Sequence, residues 1–598
     1  MILQRLAEHY DRIVAAGGDQ ARLAPPGSSL QKISFCVVLE TDGRLNTFRS
    51  EQQPSGKSFV ATMMVVPGAG KPSGQGINPC FLWDNPAYLL GWSADPEKAE
   101  RARLTFAAFR DRHLALEGEL NHPVFSAVCA FLRNWTPEQA EEHAEVLTQI
   151  ATNFGVFRVA GEARYVHQLF PKAPAKDETR KIGDEAYGIC LVSGERDEIA
   201  RLHEPKIKGV AGAQSAGALL VSFNAPSYES YGKSQSFNAP VGVGTTFRYA
   251  NALNHLLNQR DRRVSLGDST VVYWADHAGH ALEKSLSSFF EDAAFVDDLA
   301  GPEEDKQRLQ EARDLMMALR DGTTVPRKEH DDAGTRFFLL GLSPNASRLS
   351  IRLWVEADAV ELERCLGQHL RDIALVDSRV DRLLTVRRIV TATGRAKAGQ
   401  SDRMEFDTKA VSPLLAGDLA RAVLTGAPYP QTLLGTMLRR IRADGAVAYA
   451  RVAAIKACLQ RNSRLRGNPI EVSPMLNPEN TNQAYCCGRA FALLEKIQTD
   501  SAGGDLNATI KDRYFSSAST TPSLVFPRLF RLSQHHLAKL DPGPRIYNER
   551  RLGEVLSLLT GFPRLLSLEQ QGMFVLGYFH QRQDLFTSKK DKKEGANA

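Results

Sequence analysis

The sequence predicts an α+β chain: a mixed α/β N-terminal part over residues 1–405, followed by a C-terminal helical bundle over residues 406–598. Three observations carry that expectation. Short β-rich runs in the first half alternate apolar and polar residues. Two such runs flank a turn-forming segment, as in a hairpin. Beyond about residue 405 the apolar spacing becomes that of amphipathic helices.

Taken in order, Ile2, Leu6, Tyr10 and Ile13 lie near one face of an N-terminal helix. Ile33, Phe35, Val37 and Leu39 alternate with Ser34 and Cys36, the period of a strand. Residues 59–66 and 271–275 are further β-rich runs. The charged stretch 297–332 reads as an exposed helix followed by a loop. Residues 336–342 lead through Pro344 and Asn345 into 349–355, where Leu349, Ile351, Leu353 and Val355 share a face, so these two runs form the hairpin. Residues 392–410 are polar and poor in large apolar side chains, which places the domain boundary near 405. After it, Leu552, Val555, Leu556 and Leu559 follow i, i+3, i+4, i+7, and Ser567 with Gln570 makes a capping box ahead of a further helix.

Composition narrows the classes. Hydrophobic residues make up 43% and charged residues 24%, which excludes a disordered or collagen-like chain. A net charge of +5 on 598 residues excludes a wholesale polycation and leaves room for local basic grooves. Arg5, Glu8 and Asp11 interrupt the apolar run that a leader or membrane span needs, so the expected location is the cytoplasm. The eight cysteines include no C-x-x-C pair and no accompanying histidine pair, so no zinc or iron–sulfur site and no other cofactor is expected. Small buried core residues are the expectation for all eight.

Catalytic motifs fall short. A phosphate loop needs a glycine five residues before its Gly-Lys. For Lys57, Lys71 and Lys233 that position holds Glu51, Val65 and Ser227. Ser215 lacks the glycine of a nucleophile elbow, because Ala213 stands two residues before it. His277 with His280, and His330 with Asp331 and Asp332, are the candidate metal ligands, yet a metal nuclease needs several ligands converging from separate segments. The expectation is a protein that is not an enzyme; the alternative is a metal-dependent DNA nuclease.

Two features suit nucleic acid. Between residues 439 and 466 the cations Arg439, Arg440, Arg442, Arg451, Lys456, Arg461, Arg464 and Arg466 accompany a single acid, Asp444. Arg528, Arg531, His535 and Lys539 are spaced to share one helical face. Phosphate contacts supply most non-specific affinity, so Arg439, Arg440, Arg461, Arg464, Arg528, Arg531 and Lys539 are candidates for the backbone of a strand. The second feature is a pair of glycine-punctuated polar loops. Lys71, Ser73, Gln75 and Asn78 lie in one; Tyr231, Lys233, Gln235 and Asn238 lie in the other. Gln and Asn can read base edges, Lys can hold phosphate, and Tyr can stack or wedge. Ordinary solvated helix faces and loop chemistry are the alternatives to both.

The runs NPCFLWDNPAYLLG, HEPKIKGVAGAQSAGALLVSFNAPSYESYGKSQSFNAPVG, LGLSPNASRLSIRLW, LTGAPYPQTLLGTMLRRIRADG, ENTNQAYCCGRAFALLEKIQ and LSLEQQGMFVLGYFHQRQDLFT occur in this order. The chain resembles the large subunit of the type I-C CRISPR effector complex, Cascade, from its first helix to the last thirty or so residues. The resemblance implies a non-catalytic subunit that recognises the motif flanking the target in double-stranded DNA, helps open the duplex, stabilises the R-loop and recruits the helicase-nuclease. It implies as partners the target duplex and displaced strand, the guide RNA, and the backbone and small subunits of the complex. The guide delegates most sequence reading to base pairing, leaving the protein the short flank. The family also implies a small subunit made by internal translation, for which Met475 is the candidate start.

Overall fold

A computed structural model describes residues 1–16, 23–55, 58–68, 70–71, 76–171, 187–277, 281–290, 303–323, 334–376, 384–397, 404–407, 411–470, 472–503 and 508–586. They form two compact units: Met1–Gly209 with Ala213–Asn258 and Pro344–Ser350, and Val210–Gly212 with Gln259–Ser343 and Ile351–Ala598.

The first unit contains α1 (Ile2–Ala15), β1 (Ser28–Leu39), β2 (Leu45–Ser50), β3 (Gln52–Ser55), β4 (Ser58–Pro67), β5 (Trp83–Asp84), α2 (Pro86–Leu89), α3 (Ala99–Leu120), α4 (Pro123–Asn134), α5 (Pro137–Glu141), α6 (Ala144–Ile150), β6 (Phe154–Val159), α7 (Val166–Leu169), β7 (Tyr187–Ile189), β8 (Arg196–Glu198) and α8 (Val243–Asn258). The sheet order is β3-β4-β1-β6-β5, with β2 also on β1. β1 is central: its first half pairs antiparallel with β4, and its second half pairs with β2 on one side and parallel with β6 on the other. That position explains its almost continuous burial, since both faces of a central strand are covered. Phe35, Val37 and Leu39 pack with Phe106, Phe109, Phe125 and Phe131 from α3 and α4.

The second unit contains β9 (Arg263–Leu266), β10 (Ser269–Ala275), α9 (Ala281–Phe290), α10 (Glu303–Asp321), β11 (Arg336–Asn345) and β12 (Arg348–Asp358) apart from their joining turn Pro344–Ser350, which belongs to the first unit, then α11 (Ala359–Ile373), α12 (Val386–Thr391), β13 (Arg395–Ala396), β14 (Phe406–Asp407), α13 (Pro413–Thr425), α14 (Gln431–Asp444), α15 (Tyr449–Leu465), α16 (Gln483–Ser501), α17 (Ile510–Ala518), α18 (Pro522–Leu537), α19 (Pro542–Leu556) and α20 (Leu568–Phe586). The hairpin β11–β12 forms, within the order β12-β11-β10-β9, with Leu349, Leu353 and Val355 buried but Ile351 exposed. α10 is not simply exposed: Ala312 is buried, and Leu315, Met316 and Leu319 join the core. The helices on either side of residue 405 share one core, running from Val264 to Phe579, so the division of the chain does not fall there. The segment expected to be a break instead holds the β13–β14 pair and the fully buried Ala392.

Within this unit α16 packs against α17, α18, α19 and, most extensively, α20. Two glycines permit that last approach. A Cβ on Gly488 would lie 2.0 Å from the Phe574 carbonyl oxygen, and one on Gly577 would lie 2.1 Å from that of Tyr485. At the start of α20 the capping box forms: Ser567 N–H donates to Gln570 Oε1 at 2.8 Å, and Gln570 N–H donates to Ser567 Oγ at 3.3 Å. All eight cysteines are free and buried.

Candidate nucleic-acid interface

The first candidate loop is built around a buried carboxylate. Asp84 is fully buried at the end of β5. It accepts from the N–H groups of Cys80 and Asn85, and from Lys71 Nζ at 2.5 Å. The same ammonium donates to the Asn78 carbonyl at 2.7 Å and lies 3.3 Å from the centroid of the Tyr88 ring. Burial pushes the Asp84 carboxyl up, and the Lys71 charge opposes it. Leu82 is left-handed, with φ +62, and its N–H donates to His113 Nε2 at 3.0 Å. Lys71 is therefore the anchor of this loop, with its ammonium turned inward, rather than a group reaching for DNA. Asn78 lies exposed at the rim, its N–H donating to Tyr88 Oη. Ser73 and Gln75 lie outside the described residues.

The second loop is clamped by one side chain. Asn238 Oδ1 accepts from the Ser230 N–H at 2.9 Å and from its hydroxyl at 3.2 Å. Asn238 Nδ2 donates to the carbonyls of Lys233 at 2.7 Å and Gln235 at 2.9 Å. All of its hydrogen-bonding capacity faces inward, so Asn238 is a scaffold, not a reader. The clamp closes a tight turn in which Ser230 and Lys233 pair and Tyr231 and Gly232 have φ of +54 and +69. Both central residues with positive φ make a type I′ turn, a conformation suited to Gly, Asn and Asp. A tyrosine there is strained by roughly 1–2 kcal/mol, and Tyr231 is 98% exposed. Lys233 is exposed beside it. Gln235, also left-handed at φ +49, accepts from Arg201 at 2.7 Å. Arg348 was missed by the sequence reading. It stacks over the Tyr228 ring at 4.8 Å and donates to its hydroxyl at 3.0 Å, adding a cation beside the loop. The loop composition alone carries no signal for it, because Arg348 comes from the distant β12.

The basic stretch 439–466 is largely internal, which corrects the sequence expectation. Arg461 is 1% exposed; its Nε donates to Asp372 Oδ2 at 2.7 Å, and its guanidinium lies 4.2 Å from the Tyr429 ring. Arg464 donates to both oxygens of the same carboxylate, each at 3.1 Å. Burial pushes the Asp372 carboxyl up, but hydrogen bonds and charge from Arg464 and Arg461 together hold it below its usual value. Arg451 and Lys456 are buried as well. Arg451 pairs with Asp444, and burial pushes the Lys456 ammonium down to about 8. Arg440 also pairs with Asp444, at 3.5 Å. The acids that the local sequence lacks arrive from other segments, Asp372 on α11 and Glu569 on α20. Arg439 alone of the four candidates here is both exposed and without an ion pair among the described residues.

The α18 stripe is different. Arg528, Arg531 and His535 on α18, and Lys539 in the turn that follows it, are all exposed. Among the described residues, no ion pair involves Arg528, Arg531 or Lys539; Arg528 lies 5.5 Å from the Tyr514 ring of α17. On α19, by contrast, Arg545 pairs with Glu549, Arg550 with Glu554, and Arg551 with Asp584 of α20. Among the described residues no group of three or more His, Cys, Asp or Glu is gathered to hold a metal, and no helix is long and apolar enough to cross a membrane. His280, His330, Asp331 and Asp332 lie outside the described residues.

Residues 6–586 match the family described as CRISPR-associated protein (Cas_Csd1). The chain belongs to this family. Nearly the whole chain is covered, consistent with the large subunit of type I-C Cascade, and a Csd1 chain is a subunit of a CRISPR-associated complex. No curated protein matches it.

Proposed function

We propose that this Csd1 chain is the non-catalytic large subunit that recognises the flanking motif in duplex DNA, helps open the duplex, holds the displaced strand and recruits the helicase-nuclease. The observation that carries the reading is Tyr231: an aromatic residue, 98% exposed, on a strained turn held by four hydrogen bonds to one asparagine, which accepts two and donates two. Strain maintained at an exposed aromatic has no packing reward, and such strain collects at sites that act on a ligand. A rigid ring next to Lys233 suits insertion at a base step, with the ammonium on a phosphate. The unneutralised α18 stripe supports the second half of the reading, a track for the displaced strand's phosphates. The guide RNA, the Cascade backbone and small subunits and the helicase-nuclease are the partners it requires.

The deciding experiment assembles the complex with Tyr231→Ala or Lys233→Ala and measures binding to targets with matched and altered flanks. Loss of discrimination, with non-specific binding retained, supports the reading. Retained discrimination in both variants removes this loop from flank recognition. DNA cleavage by the purified chain with divalent metal would overturn the non-catalytic assignment.

A further inference from the structure

The second unit holds a cleft of about 210 Å³ between α14, α15 and the first turn of α20. Its walls are apolar: Leu434 from α14, Cys458 and Leu459 from α15, and Ile470 from the segment that follows. Two side chains keep those walls in place. Asn462 spends its amide on the backbone of Tyr429, accepting from its N–H at 2.8 Å and donating to its carbonyl at 3.0 Å. Ser463 folds the wall at 466–470 back. Its carbonyl accepts from the Asn468 N–H at 3.1 Å, and its hydroxyl from the Ile470 N–H at 2.8 Å. Gly467, at φ +74, makes the left-handed turn that this return needs. The cleft is thus held open by the chain's own hydrogen bonds, as small-molecule sites are. Polar groups remain at its rim. Arg466 meets Glu569 of α20 at 3.5 Å, with the side chains 55% and 39% exposed. So exposed a pair is worth little, and a ligand can share both partners. The side-chain amides of Gln431 and Asn468 are exposed and, among the described residues, make no hydrogen bond.

We propose that this cleft binds a guanine base. Size comes first: drug-sized ligands occupy roughly 300–1,000 Å³, so a cleft of about 210 Å³ suits a single ring system. Its apolar walls fit the faces of a base, which enters such a site only when it is out of its stack. The rim decides among bases. The Watson–Crick edge of guanine presents an acceptor, O6, beside two donors, N1–H and the 2-amino group. A carboxylate accepts from both donors at once, and an arginine next to it donates to O6. Glu569 and Arg466 supply those two groups side by side. Adenine, cytosine and thymine each carry one donor group on that edge, so each leaves a carboxylate oxygen unmet. The inference does not rest on flank recognition, which concerns a loop of the first unit. The base comes from a free nucleotide or from an unstacked strand, and the experiment separates the two.

The full chain is titrated with guanosine, inosine, adenosine and cytidine by isothermal calorimetry. Guanosine should bind about tenfold or more tightly than adenosine or cytidine, the worth of a hydrogen bond to a charged group. Inosine lacks the 2-amino group and should bind several-fold more weakly than guanosine. Glu569→Gln keeps the size of the side chain and replaces one acceptor by a donor. It should lower guanosine affinity about tenfold or more and bring guanosine and inosine level. Ile470→Phe, at a half-buried position, fills the cleft and should weaken guanosine binding with the rim intact. Glu549→Gln, in an exposed ion pair of α19, should change nothing. Anisotropy with a single-stranded oligothymidylate carrying one central dG, against the same strand without it, gives the source. Tighter binding of the dG strand, lost in Glu569→Gln, assigns the site to a strand base. Guanosine binding with equal affinity for the two strands assigns it to a free nucleotide. No preference for guanosine or for the dG strand, or a preference that survives Glu569→Gln, overturns the proposal. So does parental guanosine affinity in Ile470→Phe, which would place the ligand outside the cleft.

Discussion

Arg461 reaches Asp372 across 2.7 Å with both side chains buried, one from α15 and the other from α11. Arg464 approaches the same carboxylate from one turn further along α15. The pair therefore ties a helix before residue 405 to one after it, inside the common core. Arg461→Ala removes one of the two cations on that buried carboxylate and leaves Arg464 on both of its oxygens, so it should lower the unfolding free energy by about 1.5–3 kcal/mol, the worth of a hydrogen bond to a charged group. Neutralising Arg528, Arg531 and Lys539 together should leave stability within about 0.5 kcal/mol per site and instead flatten the salt dependence of DNA binding. Denaturant titration and salt-series binding on both variants check this. A stable Arg461→Ala protein with weakened DNA binding would restore Arg461 to the surface track.

The same carboxylate sets an acid limit. Asp372 is held below its usual value in the folded chain, so its contribution is present above the unfolded carboxyl value, about 3.9, and is lost as the pH falls through the lower folded value. The slope of stability against pH between 5 and 2 should be steeper in the parent than in Asp372→Asn. Equal slopes would show that the Arg461–Asp372 interaction adds no pH dependence.

Lys71 is expected to behave as an anchor. Lys71→Ala leaves Asp84 buried without its ammonium and should destabilise the chain by about 3–5 kcal/mol. Adding Asp84→Asn should recover part of that loss, because the uncompensated charge is gone. Thermal melts of the single and double variants measure it. A folded, fully stable Lys71→Ala chain that binds DNA poorly would return Lys71 to the reading loop.

Tyr231 gives the opposite pattern. Glycine adopts φ +54 freely, so Tyr231→Gly should not destabilise the chain and relieves strain of roughly 1–2 kcal/mol, offset by the greater freedom of the unfolded glycine. Flank discrimination should nevertheless fall. A chain that loses stability and discrimination together would make Tyr231 a structural residue.

Residues from Met475 onward contain α16 to α20, and α16 contacts each of the other four. The resemblance to type I-C large subunits implies that expression of the intact gene gives a second, shorter polypeptide that begins at or near Met475 and co-purifies with the complex, and these five helices are what it would contain. Replacing that codon with a non-start codon should abolish the short product and leave the full-length chain. An unchanged short product after the replacement, or none at the outset, refutes the internal start.

Local order was legible and tertiary partnership was not. Period-two runs gave β1, β10 and the β11–β12 pair, and Ser567 with Gln570 marked the start of α20. The α18 stripe was legible because its exposure follows from its own spacing. Arg461 was not, since its counter-charge lies 89 residues earlier at Asp372. Lys71 and Asn238 have the right chemistry for recognition, but their hydrogen bonds are spent within their own loops, and composition does not show which way a polar side chain faces. The break near 405 failed for a related reason: a polar segment marks low local burial, whereas a boundary depends on whether the helices around it share a core.

The shared core also sets a schedule. Its first residue is Val264 and its last is Phe579. At about 5–20 residues per second, a ribosome takes roughly 15–60 s to pass from one to the other. Throughout that interval the strands that follow Val264 wait for helices not yet made, and their apolar faces are open to chaperones and to neighbouring nascent chains. Yield in the cell should thus depend on translation speed over this stretch and on chaperone supply, quite apart from the stability of the finished fold.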